Sequence, residues 1–315
     1  MKQRLITGLV LAAILIPVTT IPLFLEVFQV LMTLFVVIAA YEMIRMYETE
    51  KKFKWFIKIG IVILTLGTFS SVGGVWGNTD HNPLEANGLL SITIPILTIV
   101  LLSFLVFFKD FNGADVGKAL MVINYVGLGA AAIVILRFLG VRFIVYLLLI
   151  TSATDVFAYL FGSKFGKHKL APHISPKKSW EGAIAGSILG TLVAATFALG
   201  YGTFFSPDTA IGLFVNPGGE QTLLDNFSSL GVNKSLWIQG LVIVPITLVA
   251  TILAQMGDLV ASRLKRTYNL KDFGTILPGH GGLLDRFDSA LFVAMFLAAI
   301  FILIYRLYPT FIISV

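Results

Sequence analysis

The chain of 315 residues contains no cysteine, and charged residues make up only 13% of it. The absence of cysteine excludes disulfide bonds, thiolate metal sites and cysteine nucleophiles. Soluble domains carry about one quarter charged residues, whereas here 57% of the residues are hydrophobic and the mean hydropathy is +0.90. The long apolar runs are continuous rather than alternating, which argues against a transmembrane barrel. The composition therefore predicts an all-α, polytopic integral membrane helical bundle.

The apolar runs predict roughly nine transmembrane helices. The first run follows Met1-Lys2-Gln3-Arg4 and extends to Leu25. Its length, its two internal prolines (Pro17 and Pro22) and the lack of a small-x-small cleavage site favour a retained span over a secretory signal. The other spans are predicted at about 27–44, 55–77, 89–108, 116–138, 142–161, 181–204, 237–257 and 288–308.

The basic residues predict an orientation in the membrane. With a cytoplasmic N-terminus, the 23 lysines and arginines all fall on the cytoplasmic side except Arg137, Arg142, Lys234 and Arg306. Such a bias is typical of cytoplasmic loops. It predicts a multi-pass protein of the plasma membrane, and it accounts for the net charge of +6 without a nucleic-acid partner.

Chemistry-bearing residues are concentrated in the second half of the chain. We predict N-terminal transmembrane helices over 1–140 and a catalytic region over 141–315, with cytoplasmic loops at 162–180 and 258–287. The charges of the first half are typical of interfacial anchors. No function is indicated for the external loop at about 205–236.

Asp258, Ser262 and Lys265 are spaced so that they share one face of a helix. Magnesium prefers oxygen ligands and keeps waters and substrate phosphates, and a lysine adds a point charge for phosphate. The pattern fits a metal–phosphate site. A solvated helix end with spaced charges would show the same pattern.

The segment from Pro278 to Asp288 places three glycines around His280, ahead of Asp285, Arg286 and Asp288. The glycines favour a tight turn that lets backbone N–H groups approach an anion. The two aspartates are suited to a divalent cation, and the arginine to a phosphate. The alternative is a loop followed by helix-capping acids.

Asp155 lies within a predicted membrane span, where a carboxylate is costly and indicates function. A buried structural ion pair is the alternative. The basic loop that follows, from Gly162 to Gly182, would attract an anionic headgroup or a nucleoside triphosphate, although positive-inside charge alone would also explain it. It lacks the spacing and the preceding strand of a P-loop.

Two glycine patterns predict helix packing rather than chemistry. Gly182, Gly186 and Gly190 form a small-xxx-small row, which is typical of a span packed closely on a neighbouring helix or a second subunit. Gly127 and Gly129 have no βαβ context and predict helix packing as well. The remaining clusters together indicate phosphoryl or nucleotidyl transfer with a divalent ion at a cytoplasmic membrane interface.

One run of the sequence begins at Ser262 and ends at Asp288, and it reads Ser262-x-Leu264-Lys265-Arg266-x4-Lys271-Asp272-x-Gly274-x2-Leu277-Pro278-x-His280-Gly281-Gly282-Leu283-x-Asp285-Arg286-Phe287-Asp288. This run resembles the signature of phosphatidate cytidylyltransferases, also called CDP-diglyceride synthases. Two other motifs are also similar to that family. They are the run Ser175-Pro176-Lys177-Lys178-Ser179-x-Glu181-Gly182 and the pair Asp155-x3-Tyr159. The motifs cover roughly the C-terminal half of the chain.

The resemblance implies that CTP and phosphatidate react to give CDP-diacylglycerol and pyrophosphate in phospholipid biosynthesis. It implies magnesium as cofactor, with potassium as a companion ion, and a homodimer in the lipid bilayer. It also implies that Asp258 and Asp285 hold metal and that Ser262, Lys265 and Arg286 contact phosphates. Together with the patterns above, the predicted site residues are: catalytic Asp258, Asp285, Lys265 and Arg286; substrate-binding Ser262, Arg266, Lys271, His280, Gly281, Gly282, Lys167, Ser175, Lys177, Lys178 and Glu181; and metal-binding Asp258, Asp285, Asp155 and Asp288.

Two other functions stay open on the sequence. A CTP-dependent polyprenol kinase of the dolichol-kinase type would use similar substrates, although the complete signature argues against it. An ion-coupled transporter would use Asp155, Asp258 and Asp285 as an ion path, but transporter sites lie near the membrane midplane. The Asp-Gly-x2-Ala-Arg pattern of CDP-alcohol phosphotransferases is absent.

Overall fold

A computed structural model describes residues 13, 16–75, 88–231, 235–277, 279 and 281–309. Among these residues the chain is a helical bundle with one small hairpin. The principal elements are α1 (Leu25–Tyr47), α2 (Trp55–Gly73), α3 (Gly88–Phe107), α4 (Gly113–Leu139), α5 (Val141–Phe165), β1 (Lys169–Ala171), β2 (Ser175–Ser179), α6 (Trp180–Leu199), α7 (Leu236–Thr267) and α8 (Leu284–Leu307).

Among the described residues, 7 helices are long and apolar enough to cross a membrane, and α3 contains a shorter apolar segment, Thr93–Phe107. The predicted polytopic helical fold is therefore confirmed. About half of the predicted first span lies outside the described residues. The count of about nine spans, the cytoplasmic N-terminus and the division of the chain at residue 140 stay predictions.

The glycine row of α6 packs against α5. A β-carbon at Gly182 would lie 2.5 Å from the carbonyl oxygen of Ala158, and one at Gly186 would lie 2.8 Å from that of Thr154. Only glycine lets the two backbones approach this closely. The predicted close packing is confirmed, and the neighbour is a helix of the same chain.

Polar side chains join α6 to α7 inside the bundle. Gln255 donates from its amide nitrogen to the Ser187 hydroxyl at 2.8 Å and to the Ala183 carbonyl at 3.0 Å. The hydroxyls of Thr191 and Thr251 lie 3.3 Å apart. Such bonds satisfy polar groups that lipid cannot hydrate, and they fix the register of α7 against α6.

Helix α4 contains a π-helical segment, Ile123–Leu128. Segments of this kind are frequent at functional sites. A β-carbon at Gly129 would lie 2.9 Å from Leu291 of α8, which confirms the packing role predicted for this glycine. The segment also places the Tyr125 hydroxyl where it donates to the backbone carbonyl of Asp288 at 3.1 Å.

Helix α7 extends further than the predicted span. The predicted loop 258–287 was wrong at its start, because the helix continues through Asp258 and Lys265 to Thr267. The extra turns contain good helix formers such as leucine, lysine and arginine, and the first left-handed residue is Asn269, with φ of 55°. Helix α5 likewise continues to Phe165. The ends of α5 and α7 and the start of α8 meet at one end of the bundle.

Candidate active site

The β1–β2 hairpin carries a lysine to the exposed face of α7. Lys178 Nζ lies 2.5 Å from Asp258 Oδ2. On the same helix the Ser262 hydroxyl donates to Asp258 Oδ1 at 3.3 Å, as expected for residues four apart on one face. Both oxygens of the Asp258 carboxylate therefore face cationic or hydroxyl groups, an arrangement suited to phosphate and metal chemistry.

A cavity of about 680 Å³, here called the hairpin cavity, opens beside this ion pair. It combines two carboxylates and three lysines with small and aromatic residues of α5 and α6. Its volume lies in the range of small-molecule sites. Its lining is Asp155, Ala158, Tyr159, Gly162, Ser163, Gly166, Lys169, Leu170, Ser175, Lys177, Lys178, Ser179, Gly182, Ala183, Gln255 and Asp258.

Lys265 and Asp285 form a second, more buried ion pair. Lys265 Nζ lies 2.6 Å from Asp285 Oδ1 and 4.0 Å from Asp288 Oδ2. Asp285 Oδ2 accepts the backbone N–H groups of Phe273, at 2.8 Å, and Gly282, at 2.9 Å. The Asp285 side chain is only 3% exposed. It therefore anchors the loop between α7 and α8, and a metal ion bound there would compete with the lysine.

The glycine-rich segment forms the tight turn that the sequence predicts. The Leu277 N–H donates to the Gly281 carbonyl at 3.0 Å, and φ is 75° at Gly279 and 85° at Gly281, values that favour glycine. Pro278 and His280 lie outside the described residues. A cavity of about 580 Å³, here called the loop cavity, is lined by Lys271, Asp272, Gly274, Thr275, Leu277, Gly279, Gly281 and Arg286.

Glu42 of α1 holds this loop from the other half of the chain. Its carboxylate accepts the N–H groups of Leu283, at 3.0 Å, and Leu284, at 2.9 Å, which begin α8. These are donors that no residue within a helix can satisfy. A β-carbon at Gly282 would lie 2.7 Å from the same carboxylate, and one at Gly274 would overlap it. The glycines of the loop thus leave space for Glu42.

Three further residues that were predicted to bind substrate contact other parts of the protein. The Glu181 carboxylate accepts the backbone N–H groups of Lys167, at 3.2 Å, and His168, and lies 2.7 Å from His168 Nδ1. The Arg266 guanidinium donates to the Leu270 carbonyl at 3.2 Å. These contacts order the hairpin and the end of α7. The assignment of Lys167, Glu181 and Arg266 to substrate stays a prediction.

Eight of the other predicted residues line one of the two cavities. Asp155, Ser175, Lys177, Lys178 and Asp258 line the hairpin cavity. Lys271, Gly281 and Arg286 line the loop cavity. Lys265, Asp285 and Asp288 form the buried cluster beneath, and the predicted site is thus brought to one end of the bundle.

The sequence interpretation missed Glu42, Gln255 and Tyr125. Glu42 had the same signal as Asp155, a carboxylate inside an apolar run, and that signal alone identifies it. Tyr125 and Gln255 had no local signal.

Nearby, Tyr268 follows the end of α7 and packs against the Tyr47 ring, with ring centroids 5.1 Å apart. Burial raises the pKa of Tyr268, although neighbouring Lys118 lowers it.

The carboxylates lie near one another without forming a closed cage. Among the described residues, no three acidic or histidine side chains converge on one metal position. Lysines supply the counter-charge instead, Lys178 at Asp258 and Lys265 at Asp285. Oxygen ligands with ammonium counter-ions, next to two polar cavities, can accommodate phosphate groups and a hard cation.

Comparison with known proteins identifies the family. The profile described as "Cytidylyltransferase family" matches residues 2–304. The chain belongs to the cytidylyltransferase family. The match includes the N-terminal helices, so the matched residues contain both Glu42 and the signature loop.

Curated members of the cytidylyltransferase family resemble this chain over most of its length. A phosphatidate cytidylyltransferase of Staphylococcus saprophyticus is 32% identical over 295 residues, which are 93% of this chain and 96% of that protein. One of Bacillus subtilis is 33% identical over 307 residues, covering 94% and 96%. One of Staphylococcus aureus is 37% identical over 198 residues, covering 62% and 64%.

Proposed function

We propose that this cytidylyltransferase transfers the cytidylyl group of CTP to phosphatidate, giving CDP-diacylglycerol and pyrophosphate. The observation that carries the proposal is the hairpin cavity, where Asp155 and Asp258 lie with lysines at the end of a membrane-type bundle. Both substrates present phosphate groups, and the relatives are named for this reaction. The carboxylates and lysines of this cavity would thus lie where a membrane lipid could reach them.

The surface beside the hairpin cavity is suited to a lipid substrate. On α5, Tyr159 is 74% exposed and Leu160 is 52% exposed, and on α6, Ile184 is 55% exposed. An apolar surface of this kind can contact acyl chains in the bilayer. Phosphatidate would thus keep its chains in lipid while its phosphate reaches Lys177 and Lys178.

In the proposed reaction, an oxygen of the phosphatidate phosphate attacks the α-phosphorus of CTP, and the bond to the β-phosphate oxygen breaks. The attacking phosphate is already anionic, so no strong general base is required. Lys178 and Lys177 orient the phosphates and offset the charge of the departing pyrophosphate. Arg286, which lines the loop cavity, adds a bidentate contact for phosphate.

The residues present fit magnesium. This ion is usually held by one or two carboxylates together with waters and substrate phosphates, and Asp155 and Asp258 line one cavity. Asp285 and Asp288 would hold a cation only by competing with Lys265. Asp155 and Asp258 would hold the ion, which would supply positive charge to offset that of the phosphates.

The proposed membrane setting is a multi-pass arrangement with the site on the cytoplasmic face. Lysines at the ends of α1, α4 and α5 lie at the same end of the bundle as the site, and they include Lys51, Lys118 and Lys164. Cytoplasmic loops carry such an excess. A homodimer is proposed only on the resemblance.

The test uses purified protein in detergent with phosphatidate, CTP and magnesium, with and without potassium or chelator. CTP labelled at the α-phosphorus should label the organic phase, whereas CTP labelled at the γ-phosphorus should not. Asp258→Asn should lose this activity. The matched control is Asp110→Asn, whose carboxylate is 62% exposed and pairs with Lys54 outside the site.

Other outcomes would reject the proposal. Label from the γ-phosphorus in lipid would establish a CTP-dependent lipid kinase. No lipid labelling from folded protein, together with CTP-independent ion flux in liposomes, would favour the transporter. Equal activity of the Asp258→Asn and Asp110→Asn proteins would remove Asp258 from the site.

A further inference from the structure

Two arginines are buried at the end of the bundle opposite to the candidate active site. Arg137 ends α4 and Arg142 begins α5, and they are 5% and 6% exposed. The far end of α5 carries the hairpin, so its 25 residues separate the two regions by about 37 Å. Burying a charged side chain is costly and needs a compensating partner.

Both arginines line a cavity of about 240 Å³, here called the arginine cavity. The loop after α6, for which the sequence indicated no function, covers it. The volume is below the usual range for drug-sized ligands and suits a small ion or a headgroup. The lining is Leu25, Arg137, Phe138, Leu139, Gly140, Val141, Arg142, Tyr201, Phe214, Val215, Pro217, Gly218 and Glu220.

The guanidinium groups are incompletely satisfied. Arg137 donates from Nη2 to the Ile21 carbonyl at 3.1 Å, while its Nε has no hydrogen-bond partner among the described residues. Arg142 donates from Nη2 to the Asp225 carbonyl at 2.5 Å. Its Nη1 lies 3.3 Å from Glu220 Oε1, but outside hydrogen-bond geometry. Each guanidinium group therefore keeps one buried donor without a hydrogen-bond acceptor among the described residues.

The charges that line the cavity favour an anion. Two arginines and one acid, Glu220, line the cavity, and the Asp225 carboxylate outside the lining also interacts electrostatically with Arg142. Tyr201 stays neutral, because burial raises its pKa to about 12, and its hydroxyl donates to the Val215 carbonyl.

We propose that the arginine cavity binds a phosphate group at the membrane face opposite to the active site. The group is either the headgroup of a phospholipid in that leaflet or free inorganic phosphate. Arg137 and Arg142 would each offer the forked donors that match phosphate oxygens. The Glu220 carboxylate lies beside Arg142 and would compete with the phosphate for its guanidinium group.

The test measures phosphate binding in purified, delipidated protein. Inorganic phosphate is titrated against thermal unfolding, and dihexanoyl phosphatidylglycerol is titrated in a parallel arm with the uncharged dihexanoylglycerol as control. Arg137→Gln should weaken binding at least about tenfold. The matched control is Arg306→Gln, an exposed arginine at the same end of the bundle, which should leave binding unchanged.

Glu220→Gln gives an effect of opposite sign. Removing the competing carboxylate should tighten phosphate binding several-fold, whereas a purely structural Arg142–Glu220 pair would only be destabilised by the change. If Arg137→Gln does not fold, Arg137→Lys, which keeps the charge but loses the fork, should still weaken binding.

The two arms distinguish the ligands. Tighter binding of phosphatidylglycerol than of inorganic phosphate would identify the ligand as a lipid headgroup. Tighter binding of inorganic phosphate would identify it as free phosphate. The proposal is overturned if neither probe binds more weakly to the Arg137 variants than to Arg306→Gln, or if Glu220→Gln leaves both affinities unchanged.

Discussion

Glu42 Oε2 accepts the backbone N–H of Leu284 at 2.9 Å, across 242 positions of sequence. The same carboxylate accepts the N–H of Leu283. An acid at the start of a helix is favourable for the helix dipole, and here it belongs to a different helix. The first part of the chain thereby positions the start of α8, which carries Asp285.

Glu42→Gln should lower both stability and turnover. The amide group presents its own donors to the N–H groups of Leu283 and Leu284, so one buried backbone donor loses its acceptor. The cost should be about 1–3 kcal/mol. The measurements are thermal unfolding in detergent and the initial rate of lipid labelling. Glu26→Gln, an exposed acid on the same helix, is the control, and equal behaviour of the two variants would contradict the positioning role.

Gly274→Ala tests the same contact from the other side. Its β-carbon would overlap the Glu42 carboxylate, and overpacking of this kind costs about 1–3 kcal/mol. Gly117→Ala is the control, because Gly117 is an exposed helical residue with no atom within 4 Å of the added carbon. That variant should gain up to about 1 kcal/mol. Equal unfolding temperatures for the two would show that the loop moves freely.

Local spacing was sufficient to predict part of this site. Asp258 and Ser262 lie four residues apart, and helix geometry alone brings them together. The turn at Gly279 and Gly281 was likewise predictable, because its positive φ values require glycine. Such features depend on neighbours in sequence, so periodicity and residue type contain the information.

The remaining features depend on contacts that are distant in sequence. The strands of the hairpin have three and five residues, and the second, Ser-Pro-Lys-Lys-Ser, has no alternating apolar pattern to identify it. The contact between Glu42 and α8 requires the packed bundle. Glu42 is an acid in an apolar span, but the charges of the first half were interpreted as interfacial anchors, and the sequence does not reveal which donors Glu42 meets.

The Lys265–Asp285 pair should show strong coupling in a double-mutant cycle. Lys265→Met leaves a carboxylate buried without its cation, a loss that typically costs about 3–5 kcal/mol. Asp285→Asn also weakens the contacts to Phe273 and Gly282, so it should lose turnover and some stability. The double variant should be less destabilised than the sum of the two.

An exposed ion pair provides the control for that cycle. Lys54 and Asp110 lie 2.8 Å apart with side chains 55% and 62% exposed. Their coupling should be weak, because solvent screens the charges. Similar coupling energies for the two pairs, measured by chemical denaturation in detergent, would show that Lys265 and Asp285 are hydrated in solution.

Lys178 and a divalent cation should compete for Asp258. The lysine ammonium lies 2.5 Å from the carboxylate, so removing it frees an oxygen ligand while it also removes a phosphate contact. Lys178→Gln should therefore bind Mn²⁺, used in place of magnesium, more tightly, and should raise the KM for CTP. Asp258→Asn should bind Mn²⁺ more weakly. The measurements are the electron paramagnetic resonance of free Mn²⁺ and steady-state kinetics.

The control is Lys164→Gln, which replaces an exposed lysine near the end of α5. Weaker Mn²⁺ binding by Lys178→Gln would contradict the competition, because Lys178 would then support the metal site rather than compete with it.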